Sequence, residues 1–394
     1  MAYSTALRKA IGDLRACLGR HGLERQSARF AEHGEHEPAA DAPLVLAACS
    51  GGRDSMALAA VARTVCGMLG LRCGAAIVDH GMQPGSAAVA AETADRCRAL
   101  GLRPVDVRRV HVPLGRGDGA EAAARDARYA ALCELAAERG AALVLLAHTR
   151  DDQAETVLIG LARSGGLDAI VGMPETTVRM TGTDGGAVEF GTGKFGAVEF
   201  GSGTPGTAVR FARPWLDVTR AQTTAICREL GLDWWDDPTN GDAVPAGQSL
   251  DGSYPLRSRI RHDLVPAMAR CWGADPSARL AAGAASARLD ADYLDGRAAE
   301  LAERALTVVR EEERSVARLD AAALAAEHPA LRRRVIVRAL RALAIPVAAT
   351  HVEAVDRLVT DWHGQRPLAL PSQCSASRKG HVIEVCEDRR HANR

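Results

Sequence analysis

The sequence predicts an α/β protein: a parallel, doubly wound sheet followed by a mainly helical C-terminal region. Four short apolar segments between residues 43 and 147 alternate with longer segments of helical spacing. The connections between them are only a few residues long, and the alternation stops near residue 175. Strands that alternate with helices form a parallel sheet covered on both faces, because each crossover helix must pack back onto the sheet.

The chain is expected to begin with a helix and a linker. Leu7, Ile11, Leu14 and Leu18 recur at helical spacing, and a polar stretch continues to about residue 41. We therefore assign residues 1–41 to an N-terminal helix and linker.

Four strand–helix pairs are predicted next. Each strand is a short apolar run, and each helix has apolar residues spaced three or four apart. In such sheets ligands bind beyond the carboxyl ends of the strands, so these ends are where site residues are expected. The predicted pairs are 43–49 with 54–69, 72–79 with 86–100, 103–110 with 119–139, and 141–147 with 151–163.

The rest of the chain divides into an insertion and a second region. Residues 175–209 contain a near-duplicate, 186–193 and 196–203, which is typical of a Gly-rich insertion. Thr219 is expected to cap a further helix. We assign 42–240 to a catalytic domain and 241–394 to a mainly helical region with short terminal strands.

Composition narrows the class of protein. The 394 residues carry 49 basic and 49 acidic side chains, so the net charge gives no indication of nucleic-acid binding. A basic face confined to one part of the surface is compatible with this balance. The ten cysteines are scattered singly, without metal-ligand spacing, and no apolar run is long enough to span a membrane. We expect a cytoplasmic protein with reduced thiols and no membrane partner.

The segment from Ser50 to Ser55 (SGGRDS) has the features of a phosphate-binding loop. Gly51 and Gly52 allow backbone amides to turn toward an anion, and the helix that follows presents its positive end. No lysine follows the glycines, so the loop suits a pyrophosphate leaving group better than a transferred γ-phosphate. Asp54 needs a cation beside phosphate, and Mg²⁺ would supply one. An ordinary Gly-Gly turn with a helix cap is the structural alternative.

This loop resembles the signature of the N-type ATP pyrophosphatases, the PP-loop superfamily, which adenylate a substrate oxygen and release pyrophosphate. Further segments resemble the tRNA(Ile)-lysidine synthetase family and occur in order between about residues 44 and 269. They are Val78–Met82 (VDHGM), Ala124–Tyr129 (ARDARY), Ala147–Thr156 (AHTRDDQAET), Arg213–Leu216 (RPWL), Asp237–Asn240 (DPTN) and Arg257–Arg261 (RSRIR).

The resemblance implies a reaction and its partners. The family adenylates the C2 oxygen of the wobble cytidine in an isoleucine tRNA with a CAU anticodon. The ε-amine of free L-lysine then attacks C2, and AMP leaves. ATP and Mg²⁺ are the implied cofactors, and a homodimer is possible.

Roles for individual residues follow from the motifs and from the resemblance. Asp152 and Glu155 share one helix face and would hold the lysine ammonium or take its proton. The catalytic candidates are Asp54, Arg125, Asp152 and Glu155. The candidate ATP ligands are Ser50, Gly51, Gly52, Arg53, Asp54, Ser55 and His80, with Asp54 as the possible magnesium ligand; the candidate tRNA ligands are Arg213, Arg257, Arg259 and Arg261.

Two departures and two alternatives accompany this interpretation. Thr149 stands where the family usually has a second His, and the glycines of Arg163–Gly166 are shifted from the family's Arg-Gly-Ser-Gly run. One alternative is another PP-loop tRNA-modifying enzyme, such as a thiolase, although Cys49, Cys66, Cys73 and Cys97 form no paired motif. The other is a non-catalytic module that binds ATP or tRNA, for which an acidic pair beside the loop has no use.

Overall fold

The computed structural model describes residues 3–32, 36–83, 85–112, 119–181, 206–245, 247–311 and 314–387. The chain forms two compact units, residues 1–288 and 289–394. The boundary falls within one long helix.

Unit 1 is built on a six-stranded sheet with helices along it. Its helices are α1 (Thr5–Arg20), α2 (Arg53–Leu69), α3 (Ser86–Ala99), α4 (Gly119–Glu138), α5 (Arg150–Arg163), α6 (Leu167–Ile170), α7 (Arg220–Glu229), α8 (Leu256–Arg259) and α9 (Val265–Trp272), with a π-helical turn at Ile260–Leu264. Its strands are β1 (Leu44–Ala48), β2 (Arg72–Asp79), β3 (Val105–Arg109), β4 (Ala141–Leu145), β5 (Thr176–Met180) and β6 (Ala208–Ala212). The α/β class is therefore confirmed.

The strand order is β3-β2-β1-β4-β6-β5. Neighbouring strands from β3 to β6 pair in parallel, and β5 runs antiparallel at the edge. The chain winds outward from β1 in one direction and from β4 in the other. Because β1 and β4 are neighbours, the loops that follow them open onto the same crevice, which is the usual ligand site of such sheets.

Two apolar layers hold the sheet in place. One face packs on α1, α2 and α7, with Trp215 fully buried, and the other packs on α4 around Tyr129 and Phe211. Trp215 Nε1 donates to the carbonyl of Ala10 at 3.1 Å, which satisfies the buried indole. These contacts fix the crevice between β1 and β4.

The sequence prediction for residues 175–209 missed two strands. The flanks of this segment form β5 and the start of β6, while the Gly-rich residues 182–205 lie outside the described residues. The apolar positions of these strands were hidden beside a Gly-rich stretch. Phe30, in the predicted linker, is 7% exposed and packs over Gly70.

Unit 2 contains more strand than the sequence predicts. The helix α10 (Ser277–Ala305) spans the boundary and leads into a five-stranded sheet of order β7-β8-β11-β10-β9, all antiparallel. The elements after α10 are β7 (Leu306–Glu311), β8 (Arg314–Asp320), α11 (Ala321–Ala325), α12 (Pro329–Ala342), α13 (Ala349–Thr360), β9 (Leu368–Leu370), β10 (Cys374–Lys379) and β11 (Val382–Glu387). The strands β7 and β8 fall where helix was expected.

Within the described residues, no helix is both long enough and apolar enough to cross a membrane.

Candidate active site

The loop after β1 has the shape expected of an anion-binding turn. Gly51 has φ of +83°, and a Cβ there would collide with the Thr93 hydroxyl, so both conformation and space require glycine. Ser55 Oγ donates to the Gly52 carbonyl at 2.8 Å and accepts from the Ser50 amide at 3.2 Å. Arg53 opens α2, and its Nε is buried without a hydrogen-bond partner among the described residues.

Asp54 lies in the first turn of α2 and faces α7. Its Oδ1 accepts a short hydrogen bond from Thr223 Oγ1, and its Oδ2 lies 3.8 Å from Arg220 Nε. Burial raises the pKa of this carboxyl above its ordinary value, although Arg220 and Thr223 act in the opposite direction. Because burial disfavours the charged form of this carboxylate, a cation that binds beside it would stabilise that form.

The acidic pair begins α5, directly after β4. Asp152 Oδ2 accepts from the amide and the hydroxyl of Thr149, both at 2.8 Å, which completes a capping box at the helix start. Glu155 lies one turn further on and is only 2% exposed. Thr149, where the family usually has a His, is thus the residue that caps this helix.

Three arginines surround the acidic pair. Arg220 donates from one terminal nitrogen to Asp152 Oδ1 and Glu155 Oε1, both at 3.1 Å. Arg261 makes a two-pronged contact with Glu155, at 2.8 and 3.1 Å, and Arg257 reaches Glu155 Oε2 at 3.2 Å. Burial raises the pKa of Asp152, but Arg220, His148 and Arg257 outweigh it and hold that pKa below its ordinary value.

Arg220 is the residue that the sequence analysis missed. Besides the acidic pair it approaches Asp54, and its backbone amide donates to Asp151 Oδ2 at 2.8 Å. Burial lowers the pKa of Arg220, but the surrounding carboxylates raise it to a net value above the ordinary one. One local signal was available: a cation in the first turn of a helix opposes the helix dipole, which indicates acidic partners elsewhere.

A second basic group lies around Tyr129 on α4. The guanidinium carbons of Arg179 and Arg125 lie 3.7 and 5.1 Å from the centroid of its ring, and Arg213 donates to its hydroxyl at 3.1 Å. Burial raises the pKa of Tyr129, but the positive charges of Arg213, Arg125 and Arg128 lower it overall. Burial and Arg213 lower the pKa of His148 well below its ordinary value of 6.5.

The structure divides the four arginines that were predicted to bind tRNA. Arg257 and Arg261 belong to the carboxylate cluster described above. Arg213 is 1% exposed and also donates to the Pro174 carbonyl at 2.8 Å. Its guanidinium therefore makes its hydrogen bonds inside the protein. Arg259 is half-buried, and its Nε makes no hydrogen bond to the acidic pair or to any other described residue.

His80 is half-buried at the end of β2, where the sequence placed it. Its Nδ1 accepts from the Met82 amide at 3.4 Å, and the preceding Asp79 accepts from the Gly81 amide at 3.0 Å. These bonds shape the turn after β2, and among the described residues none hydrogen-bonds to the other imidazole nitrogen.

Two cysteines separated in sequence meet in space. Cys49 and Cys97 lie close to each other, and the interaction with Cys97 lowers the pKa of Cys49 to about 7, although burial raises it. This proximity comes from the fold, because the two cysteines are 48 positions apart in sequence and form no paired motif. Both are almost fully buried, unlike thiols that deliver sulfur to a macromolecular substrate.

Within the described ranges, no group of three or more His, Cys, Asp or Glu side chains could hold a metal ion by itself. Asp54 offers a single carboxylate, so a cation there would need further ligands from a bound phosphate.

Comparisons with known proteins agree with this geometry. Residues 22–268 match the model of a PP-loop domain, and residues 319–382 match that of the TilS substrate binding domain. A tRNA(Ile)-lysidine synthase of Bifidobacterium longum subsp. infantis is 49% identical over 100% of both chains. One from Streptomyces coelicolor is 42% identical over 87% of this chain and 85% of its own.

Among solved structures, the U34-tRNA thiolase of Methanococcus maripaludis is similar over 71% of this chain and 78% of its own, with a TM-score of 0.45 and 13% identity. That degree of likeness carries no argument about chemistry. The full-length relatives and the two family models do carry such an argument. They show that this chain belongs to the tRNA(Ile)-lysidine synthase family of ATP-dependent ligases.

Proposed function

We propose that this chain joins L-lysine to the wobble cytidine of a CAU-anticodon isoleucine tRNA in two steps at the crevice between β1 and β4. ATP adenylates the C2 oxygen and releases pyrophosphate; the lysine ε-amine then attacks C2 and AMP leaves. One observation carries the proposal: Arg220 spans the loop carboxylate Asp54 and the acidic pair of α5. The site for the leaving group and the site for an amine are therefore adjacent.

The loop is proposed to bind ATP through its backbone. The amides at Gly51 and Gly52 and the start of α2 offer donors and a positive dipole to the phosphates. The hydroxyls of Ser50 and Ser55 lie 3.3 Å apart at the same turn. Ser55 already donates to the Gly52 carbonyl, so the Ser50 hydroxyl is the one that would turn to the phosphates as a further donor. We assign Arg53 and His80 to the rim of this site.

Asp54 is the residue that fits a magnesium ion. Its carboxylate is held by Thr223, and burial disfavours its charge until a cation arrives. Mg²⁺ in nucleotide sites takes one or two carboxylates and phosphate oxygens, which matches a single aspartate here. Bound there, the ion would neutralise charge on the departing pyrophosphate.

The lysine ammonium is assigned to Asp152 and Glu155. An ammonium is no nucleophile, so one proton must leave before C2 is attacked. Asp152 and Glu155 share one face of α5, so we assign both to holding the ammonium and leave the proton to one of the acidic side chains at this helix start. Arg125, over the Tyr129 ring, is assigned to charge that develops on the phosphate.

For the tRNA we retain Arg257, Arg259 and Arg261 and leave out Arg213. A guanidinium that is 1% exposed presents nothing to a phosphate outside the protein. Arg259→Ala is expected to weaken tRNA binding and flatten its salt dependence, since each phosphate contact contributes about one unit of that slope. A cytoplasmic location, where the tRNA is found, and a homodimer are further proposals; light scattering would test the second.

The test is mass analysis of isoleucine tRNA after incubation with the protein, ATP and isotope-labelled lysine. We expect one labelled lysine per tRNA on the wobble nucleotide, with AMP formed in equal amount. Replacement of oxygen by sulfur would identify a thiolase instead, and an unmodified tRNA with unspent ATP would identify a binding module. Asp54→Ala should abolish incorporation with the fold intact.

Glu155 can be tested separately from the loop. Glu155→Gln should raise the lysine concentration needed for half-maximal rate far more than the ATP concentration. The matched control is Glu92→Gln, an exposed residue of α3. Equal effects on both substrates would remove Glu155 from the lysine site.

A further inference from the structure

Both carboxylate oxygens of Glu155 are already occupied. Oε1 accepts from Arg220 at 3.1 Å and from Arg261 at 2.8 Å, while Oε2 accepts from Arg257 at 3.2 Å and from Arg261 at 3.1 Å. Four charge-assisted bonds on one carboxylate leave no free acceptor position for an ammonium.

The charges lead to the same conclusion. Three guanidinium groups face three carboxylates, those of Asp54, Asp152 and Glu155. Among the side chains that contact one another the charges therefore balance, and a lysine ammonium would enter this group as a fourth positive charge. In a buried site such a charge is costly, so at least one arginine must leave before lysine binds.

The three arginines differ in how firmly they are held. Arg220 has the least exposed side chain, 15%, and contacts three carboxylates from a capped helix. Arg257 and Arg261 are 27% and 20% exposed and lie one turn apart on the short segment of α8 and the π-helical turn. Their guanidinium groups are the ones that an approaching polyanion can reach.

Phosphate is a suitable competitor for these two side chains. A guanidinium binds phosphate with the same two-pronged geometry that Arg261 uses on Glu155. Transfer of Arg257 and Arg261 to phosphates would leave Asp152 and Glu155 with Arg220 alone. The cluster would then carry net negative charge and a vacant acceptor for an ammonium.

We propose that Arg257 and Arg261 close the lysine site in the free protein, and that phosphates of the bound tRNA draw them away and admit lysine. This inference rests on the proposed function, since it assumes lysine and tRNA as the two substrates. If the inference holds, tRNA and lysine bind cooperatively. Arg257 and Arg261 then act as positioning residues for Glu155 and also as tRNA contacts.

The experiment is equilibrium dialysis of radiolabelled lysine against the full chain, without ATP, in the presence and absence of a CAU-anticodon isoleucine tRNA transcript. We expect the transcript to tighten lysine binding by about tenfold or more, within the usual range of coupling between sites. Arg257→Ala/Arg261→Ala should bind lysine without tRNA as tightly as the wild type binds it with tRNA. Arg270→Ala, an exposed arginine of α9, should behave as the wild type.

An unchanged lysine affinity on adding tRNA would overturn the inference, as would a folded double variant that binds lysine no better than the wild type. The wild-type comparison needs no substitution, so a double variant that fails to fold does not remove the test. Lysidine formation together with a lysine affinity that does not depend on tRNA would refute this inference but not the proposed function. Absence of lysidine in the mass assay would sink the proposed function itself.

Discussion

Arg220→Met is the most informative single change in unit 1. Methionine keeps the apolar stem of the side chain and removes the guanidinium that contacts Asp152, Glu155 and Asp54. Two of these carboxylates are nearly inaccessible to water, so each loses a partner that solvent cannot replace. The variant should be destabilised and should lose the connection between the loop and the acidic pair.

The magnitude follows from the partners that remain. Breaking a buried ion pair by removing one partner usually costs about 3–5 kcal/mol. Here Glu155 keeps Arg257 and Arg261, so we expect the lower end, about 3 kcal/mol. For a unit of this size the urea m-value is about 3 kcal/mol per M, which gives a midpoint about 1 M lower.

The assay is urea unfolding followed by tryptophan fluorescence in a Trp362→Phe background, so that the signal comes from unit 1, where Trp215 is fully buried. Arg228→Met, an exposed arginine of the same helix, is the matched control and should shift the midpoint little. Glu155→Gln combined with Arg220→Met should cost less than the sum of the single changes, because the two residues are in contact. Equal midpoints for Arg220→Met and Arg228→Met, or strict additivity in the double variant, would refute the reasoning.

Three further predictions follow from the same contacts. Thr223→Val removes the hydroxyl that lowers the pKa of Asp54, so that pKa should rise further and the acid limb of the pH–rate profile should move to higher pH. Thr223→Ser keeps a hydroxyl and should restore the wild-type profile. Coincident profiles for Thr223→Val and the wild type would contradict this role of Thr223. Gly51→Ala places a methyl group against Thr93 at positive φ, and should raise the ATP concentration needed for half-maximal rate while leaving lysine affinity unchanged, as measured by initial rates and dialysis. Burial holds the folded-state pKa of His148 well below its ordinary value, so below about pH 6.5 the unfolded chain binds more protons than the folded chain. Stability should therefore fall as the pH is lowered from about 6.5 toward the folded-state pKa, by up to about 1.4 kcal/mol per pH unit. His148→Asn should remove this slope in urea titrations between about pH 6.5 and 5.

Much of the architecture of unit 1 is determined by local sequence. The four strand–helix pairs were predicted within about two residues of their bounds, because buried parallel strands and amphipathic helices differ in periodicity. The edge pair of β5 and β6 and the pair β7 and β8 were missed. The strands β5 and β6 flank a Gly-rich stretch, and β7 and β8 follow a long Ala- and Arg-rich helix, so the composition of the neighbouring sequence hid these short strands.

The candidate site divides in the same way. The loop at Ser50–Ser55 and the pair Asp152 and Glu155 are recognisable in the sequence, because anion binding by glycine amides and helix capping are local properties. Helical spacing alone also separates Arg259 from Arg257 and Arg261, which are four apart and share a face. The sequence therefore determined which residue types are present and which of them share a helix face.

Only the tertiary structure decided what those residues face. The strand order places β1 beside β4, which brings Asp54 and the acidic pair to one crevice, and α7 then inserts Arg220 between them. Arg257 and Arg261 meet Glu155 across more than a hundred residues of chain. A charged side chain has no preferred partner until the fold removes water from around it, so the pairing of these charges is a property of the packed sheet and its helices rather than of any segment.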